Sequence, residues 1–387
     1  MKNNRTFLEK LLDGSEVEWK PLDEVANIVN NARKPVKSSS RVSGNIPYYG
    51  ANNIQDYVEG YTHEGEFVLI AEDGSASLEN YSIQWAVGKF WANNHVHVVN
   101  GKEKLNNRFL YHYLTNMNFI PFLAGKERAK LTKAKLQQIP IPIPPLSVQT
   151  EIVKILDALT ALTSELTSEL ILRQKQYEYY REKLLSEEEL GKVGFEWKTI
   201  DEISKKISSG GTPTTSNNGY YDNGTIPWLR TQEVDFKEIW DTNIKITEDA
   251  LNNSSAKWIP ANCVIVAMYG ATVGKTAINK IPLTTNQACA NIEINDKLAC
   301  YRYIFHYLTS KYEYIKSLGS GSQTNINAQI IKKLKVPVPP IEEQYRIVSI
   351  LDKFETLTNS ITEGLPLAIE QSQKRYEYYR ELLLNFS

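Results

Sequence analysis

Apolar residues recur at alternating three- and four-residue intervals in two stretches of the chain. In the first they are Ile152, Ile155, Leu159, Leu162 and Leu166; in the second, Ile347, Ile350, Phe354, Leu357 and Ile361. This is the spacing of a helix seam that faces another helix. Prolines 144–145 and 339–340 stand just before the two stretches, where the first helical N–H groups have no intrahelical partner to lose. A helix from about residue 148 to residue 185 would be roughly 57 Å long at about 1.5 Å per residue. A core helix of an ordinary domain has the same periodicity, but two seams in corresponding places favour an antiparallel pair of long helices. Residues 67–71 (Phe-Val-Leu-Ile-Ala) and 263–267 (Cys-Val-Ile-Val-Ala) have the length and composition of buried strands, set among Gly, Asn and Pro punctuation. The expected fold class is α+β: two globular domains separated by two long antiparallel, coiled-coil-like helices.

The second feature is an internal repeat. Gln174-Lys-Gln-Tyr-Glu-Tyr-Tyr-Arg-Glu-Lys-Leu-Leu185 matches Gln373-Lys-Arg-Tyr-Glu-Tyr-Tyr-Arg-Glu-Leu-Leu-Leu384 at 10 of 12 positions. Ile141-Pro-Ile-Pro-Pro145 matches Val336-Pro-Val-Pro-Pro340, and Ile155-Leu-Asp157 matches Ile350-Leu-Asp352. Glu18-Trp-Lys20 pairs with Glu196-Trp-Lys198, and Phe109-Leu-Tyr-His-Tyr-Leu114 with Tyr303-Ile-Phe-His-Tyr-Leu308. The repeat is circular, because Phe7-Leu-Glu-Lys-Leu-Leu12 resembles Tyr180-Arg-Glu-Lys-Leu-Leu185. A circular repeat of this kind can close into a pseudo-twofold object. The boundaries it implies are an arm at 1–14 completing the helical frame, globular domains at 15–146 and 191–341, a central helix at 147–190 and a C-terminal helix at 342–387. The interval from Asp352 to Tyr376 is four residues longer than that from Asp157 to Tyr177 and contains Gly364-Leu-Pro366. Interior proline breaks helices, so the first helix should be straight and the second interrupted near Gly364.

Composition narrows the function. The formal net charge is −1, so any nucleic-acid surface must be local. The three cysteines lack the spacing of a zinc site or a disulfide framework. The N-terminal residues form no apolar leader, and no run approaches the roughly 18 apolar residues of a membrane span. A reduced, cytoplasmic protein with no membrane partner is expected. Gly270-Ala-Thr-Val-Gly-Lys-Thr276 falls one residue short of a phosphate-binding loop and runs on to Pro282 where a helix should open. His95 and His97 alternate along an expected strand with no third ligand completing a metal set.

The proline-rich segments, each followed by Gln149 or Gln344 and by Ile152-Val-Lys-Ile-Leu-Asp157 or Ile347-Val-Ser-Ile-Leu-Asp352, resemble the specificity subunit of a type I restriction–modification system. Gly270–Thr276 and Gly319-Ser-Gly-Ser-Gln-Thr-Asn-Ile326 also look like recurrent segments of that family. The resemblance covers nearly the whole chain. It implies two target-recognition domains, each reading half of a split site on double-stranded DNA, with helices that set the spacing. It implies docking of two methyltransferase subunits and of restriction/translocase subunits. S-adenosylmethionine, ATP and Mg would then belong to those partners, and this chain would hold no cofactor, no metal and no catalytic residue. Leu162-Thr-Ser-Glu-Leu-Thr-Ser-Glu-Leu170 resembles the short repeats that adjust the family's spacer. The two globular halves differ more than the helices do, so the half-sites should differ.

Candidate contacts follow from side-chain chemistry. Lys126, Arg128, Lys130, Lys133 and Lys135 form a local basic cluster suited to phosphates, or an ordinary solvated face. The matching segment is uncharged, and its Gln323 and Asn325 are base-reading candidates, the alternative being a turn. Asn52, Asn53, Arg230 and Gln232 follow matching Ile-Pro pairs and have base-reading chemistry, with tight-turn packing as the alternative. Asn93, Asn94 and His95, matched to Thr285, Asn286 and Gln287, are weaker candidates. Lys275 and Thr276 are phosphate candidates within a loop that a structural turn explains equally well. Tyr177, Tyr179, Tyr180 and Arg181, with Tyr376, Tyr378, Tyr379 and Arg380, form repeated patches that either pack the helices or receive a partner. Two rivals stay open: an orphan specificity or DNA-binding protein without a functional restriction complex, and a P-loop-like phosphotransferase.

Overall fold

The computed structural model describes residues 6–125, 129–319, 325–360 and 362–386. The chain forms two compact units: unit 1 comprises Met1–Thr167 with Ala368–Ser387, and unit 2 comprises Ser168–Leu367.

In unit 1 the head is built on a six-stranded sheet. Its order is Ala26–Ile28, Val96–Gly101, His63–Ala71, Ile83–Ala92, Ser43–Tyr49 and Ile54–Val58. The central strand His63–Ala71 pairs antiparallel with both neighbours, and its Val68, Leu69, Ile70 and Ala71 are fully buried. Burial on both faces explains why that segment is an unbroken apolar run. In unit 2 a five-stranded sheet runs Ser204–Ser209, Cys289–Ile294, Val264–Ala267, Thr276–Asn279 and Lys237–Ile239. A four-stranded sheet beside it runs Lys245–Ile246, Ile226–Leu229, Leu283–Thr285 and Trp258–Ile259. Val264–Ala267, in the five-stranded sheet, is the buried counterpart of His63–Ala71. The α+β expectation holds for both heads.

Each head ends in the same device. Pro140–Ile143 pairs antiparallel with Glu18–Pro21, and Lys335–Val338 pairs with Glu196–Thr199. Two-stranded ribbons consist of edges, which is where prolines lacking an N–H can be accommodated. The chain then enters helix Leu146–Leu184 in one copy and helix Ile341–Asn359 in the other. The first is continuous over 39 residues, a length of roughly 58 Å. The second stops at Asn359 and resumes as Gly364–Leu384, with Pro366 in the opening turn. Gly364 has φ +82°, and a Cβ there would lie 2.6 Å from the Thr356 carbonyl oxygen. The interruption expected near Gly364 is therefore present, and glycine is required by both conformation and space.

The expected seam needs correction. Leu162 is 39% exposed, while Thr163 turns inward and hydrogen-bonds Ser372 at 2.8 Å within unit 1. Leu156 and Leu351 are fully buried, whereas Ile155 and Ile350 are half-buried. The inward stripe begins with a four-residue step from Ile152 to Leu156, which shifts the later positions by one. A 3.6-residue turn drifts against a strict 3.5-residue pattern, so a seam read from the apolar residues alone can slip. Ile361 lies outside the described residues.

Candidate nucleic-acid interface

The buried central strand of each head delivers a turn to one end of its sheet, and the candidate segments gather around that turn. In head 1 the strand runs into Glu72-Asp73-Gly74, where Gly74 adopts φ +69°. Glu72 receives Arg33 Nη1 at 2.7 Å and Lys130 Nζ at 2.9 Å. Burial pushes the Glu72 carboxyl up, but those two hydrogen-bonded cations outweigh it and hold the group below its usual range. Asp73 meets His95 Nδ1 at 2.5 Å. Asn52 donates to the Gly74 carbonyl and accepts from the Ala76 N–H, both at 2.8 Å. Asn52, His95 and Lys130, distant in sequence, are thus brought to one turn.

Their roles differ from a simple list of contacts. Asn52 clamps the turn with both ends of its amide, and Lys130 is ion-paired, whereas the neighbouring Asn53 is exposed. Asn93 is buried and accepts from the His95 N–H, and the Asn94 carbonyl accepts from Arg33. His97 is a core histidine, bonded to Asn30 Nδ2 and to the Leu131 carbonyl. Lys133 and Lys135 are exposed on the short helix Lys133–Gln137. Lys126 and Arg128 lie outside the described residues.

Head 2 repeats the convergence with other chemistry. Strand Val264–Ala267 runs into a turn spanning residues 268–275, with positive φ at Gly270 and Gly274. Thr272 Oγ1 donates to the Thr231 carbonyl at 2.7 Å, and the Met268 carbonyl accepts from the Ile326 N–H at 3.0 Å. The segments around Arg230 and Asn325 therefore meet at this turn, as those around Asn52 and Lys130 do in head 1. Arg230 is half-buried, with Nε 3.7 Å from Glu233, while Gln232 is exposed. Lys275 pairs with Asp235 at 2.6 Å. Asn325 is half-buried, and Gln323 lies outside the described residues.

One candidate is overturned. Thr276 is fully buried in strand Thr276–Asn279, with its hydroxyl 2.7 Å from that of Thr309, so it packs the core and cannot reach a phosphate. The turn also joins two antiparallel strands rather than a strand and a helix, which removes the helix N-terminus that a nucleotide phosphate would need.

Behind these turns each head is fixed to its helix by a set of buried polar contacts. Gln149 accepts from the Asn106 N–H at 2.8 Å and donates to the carbonyls of Lys104 and Pro144. Gln344 accepts from the Cys300 N–H at 2.8 Å and donates to the Pro339 carbonyl. Two turns on, Asp157 bonds His112 Nε2 and Arg108 Nε, both at 2.8 Å. Asp352 bonds His306 Nε2 at 2.8 Å and Arg302 Nη2 at 2.7 Å. Burial raises the Asp352 carboxyl, yet the bonds from His306 and Arg302 bring it below its ordinary value. His306, Asp352 and Glu355 lie close enough together to suggest a metal site. Arg302, however, bonds both carboxylates and Glu238 as well, so the positive charge there comes from the protein. The repeated His and Asp had been visible in the sequence as matched segments, but nothing there showed that they touch.

The tyrosine patches divide between inside and outside. Within unit 2, Tyr180 stacks on Phe354 with centroids 5.5 Å apart, and Arg181 lies over the Tyr177 ring. Burial pushes the Tyr177 hydroxyl up to about 12. Within unit 1, Arg380 lies over Tyr376, and Tyr379 meets Phe7 edge-on at 6.5 Å. The most exposed members are Tyr179, at 58%, and Tyr378, at 62%.

All three cysteines are buried, and burial pushes the Cys263 thiol up to about 12, away from the thiolate. No described helix is long and apolar enough to cross a membrane.

A family model described as the type I restriction modification DNA specificity domain matches residues 14–173 and again 192–371. A putative type I restriction enzyme specificity subunit of Haemophilus influenzae is 65% identical over the full length of both chains. A type I restriction enzyme specificity subunit of Escherichia coli is 38% identical, covering 98% of this chain and 97% of its own. The fold also matches the crystal structure of the S subunit of a type I restriction–modification system from M. genitalium. That match has a TM-score of 0.61 at 14% identity, over 99% of this chain and 96% of the other. Two matched copies, each with a polar turn at the sheet end and the same helix mount, place the chain in the type I restriction–modification DNA specificity family.

Proposed function

We propose that this chain reads a split, asymmetric DNA site for a type I restriction–modification complex and performs no catalysis itself. Two target-recognition domains, 15–146 and 191–341, carry the reading turns, and the helices at 147–190 and 342–387, completed by the arm at 1–14, carry the partners. The observation behind this is a contrast: the mounts at Asp157 and Asp352 are built from the same residue types, whereas the turns they support are not. Identical mounts suit two copies of one methyltransferase subunit docked on pseudo-twofold faces. Different turns suit different half-sites.

Contacts within each unit support opposed helix directions. In unit 1, Thr163 meets Ser372, while the earlier Ile152 and the later Leu383 share one core cluster. In unit 2, Tyr180 meets Phe354, while the later Leu184 shares a cluster with the earlier Ile347. S-adenosylmethionine, ATP and Mg belong to the methyltransferase and restriction/translocase partners in this reading, and the complex works in the cytoplasm.

Asn53 and Lys133 in head 1, and Gln232 in head 2, are the exposed contacts at or beside the turns. Asn52, Lys130 and Lys275 shape the turns, and Arg230 lies partly open between the two roles. Co-expression with the methyltransferase partner followed by methylation mapping tests the proposal. One split, non-palindromic motif is expected. Gln232→Ala should relax the motif in one half only, and Asn53→Ala in the other. Unmodified DNA from an assembled complex would count against the reading.

A further inference from the structure

The two heads carry equivalent straps with opposite electrostatic character. In head 1 the strap lies between Ala26–Ile28 and the Ile46-Pro47-Tyr48 segment; in head 2 it lies between Ser204–Ser209 and Ile226-Pro227-Trp228. The equivalence rests on pairing. Tyr48 and Trp228 both begin short parallel ladders, with Trp91 and Thr284 respectively. Each ring also holds its own strap: Tyr48 Oη accepts from the Val36 N–H at 3.0 Å, and Trp228 Nε1 donates to the Gly211 carbonyl at 3.0 Å. Residues 29–45 contain Arg33, Lys34, Lys37 and Arg41 and no acidic residue. Residues 210–225 contain Asp222 and no basic residue.

The basic strap is built rather than loose. The Lys34 N–H donates to the Ala92 carbonyl at 3.0 Å, and the Lys34 carbonyl accepts from Trp91 Nε1 at 2.7 Å. Arg41 stacks on Tyr48 at 4.1 Å, donates to the Val36 carbonyl and reaches Asp56 at 3.4 Å. Arg33 is engaged with Glu72 at the reading turn. Two of the four cations therefore tie the strap down. The other two, Lys34 and Lys37, have exposed side chains at the wall of a hollow of about 660 Å³ floored by Tyr48 and Trp91. Glu59 is the acidic residue lining that hollow.

We infer that Lys34 and Lys37 form a phosphate-binding rail that holds the DNA backbone against head 1, continuous through Arg33 with the reading turn, and that head 2 has no equivalent in its matching strap. The inference rests on the chain being a DNA reader. Strongly anionic backbone is the ligand that suits two exposed cations carried on an anchored strap. Each phosphate contact steepens the salt dependence of binding by about 0.9 in the log–log slope.

The test uses the full complex with its methyltransferase partners and a duplex carrying the mapped motif, beside an unrelated duplex. The K34A/K37A variant should lower the slope by about 1.8, equivalent to roughly tenfold less loss of affinity between 50 and 200 mM salt. It should weaken binding to both duplexes by the same factor and leave the methylated motif unchanged. K34R/K37R should restore the wild-type slope. A wild-type slope in K34A/K37A, with wild-type complex still preferring its motif, would overturn the rail alone. A wild-type complex without preference for any duplex would instead overturn the reading on which the rail rests.

Discussion

In unit 1, Asp157 gathers His112 and Arg108, and in unit 2, Asp352 gathers His306 and Arg302. At the far end of the same heads the likeness stops. Glu72 and Asp73 organise one turn through Arg33, Lys130 and His95, whereas the other is organised by the Thr272 hydroxyl, the positive-φ Gly270 and Gly274 and a Lys275–Asp235 pair, with no carboxylate of its own at its centre. A mount must hold a head at a fixed attitude, which rewards satisfied, buried polar contacts of one geometry. A reading turn must match a particular base pattern, which rewards difference. The same duplication has been kept at the mounts and released at the turns, as the proposed division between holding and reading requires.

The equivalence of the mounts can be broken at their glutamines. Gln149 and Gln344 are fully buried, and each answers a backbone N–H and at least one backbone carbonyl. Changing either to Ala leaves those groups unsatisfied and opens space, at a cost of about 3 kcal/mol. Gln149→Ala and Gln344→Ala should lower stability to denaturant by similar amounts. If one were neutral, the two mounts would not be equivalent. The glycine in the second helix marks where equivalence ends. Gly364→Ala should cost about 2 kcal/mol, because the left-handed backbone disfavours a Cβ and the Thr356 carbonyl leaves no room. It should not cost less than a surface Ala substitution in the uninterrupted helix, and thermal melts of the two variants would decide.

The heads also differ in their response to acid. His63, His97 and His112 all belong to head 1, and in each case burial leads and lowers the pKa, against a bonded carbonyl or the Asp157 carboxylate. Groups facing them include Glu72, Arg33 and Lys130 at His97, Arg33 at His63, and Arg108 at His112. A depressed histidine binds its proton less readily folded than unfolded. Its stabilisation is complete above about pH 6.5 and is lost as pH falls through the lower folded value. Head 1 should therefore loosen more than head 2, which carries His306 alone, as the pH falls below about 6.5. Hydrogen exchange at pH 7 and 5, corrected for intrinsic rates, would show it. Equal loosening in both heads would remove this difference.

Much of this frame was legible in the sequence because repeats and prolines act locally. The Pro-Pro entries, the continuous first helix and the break at Gly364 follow from backbone chemistry that needs no tertiary contact. The seam was less legible, because Thr163 is polar yet faces inward and Leu162 is apolar yet faces water. The mount was visible only as matched letters, since His112 and Asp157 are brought together by folding. The reading turns were the least legible. Asn52 was open between base reading and tight-turn packing, and its amide clamps the turn; Thr276 was open between a phosphate contact and a structural turn, and it is core. Short polar side chains serve either purpose, and only the partner on the other side of the fold decides which.

The smallest expected effect on stability concerns the tyrosines, and it separates packing from docking. Tyr179 and Tyr378 are more than half exposed, so truncating either should change stability by less than about 0.5 kcal/mol. Tyr177 and Tyr376 lie against their own units, under Arg181 and Arg380, and Tyr177→Ala or Tyr376→Ala should cost considerably more. Exposed aromatics flanked by neutral contacts are the usual anchors of a partner interface. With the mounts equivalent, Tyr179→Ala and Tyr378→Ala should each weaken association with one of two methyltransferase subunits. Native mass spectrometry of the assembled complex should then show a species carrying a single methyltransferase for either variant, and neither for the pair. If both substitutions left full assembly intact, the repeated tyrosines would be a packing feature of the helix and docking would have to lie elsewhere on the frame.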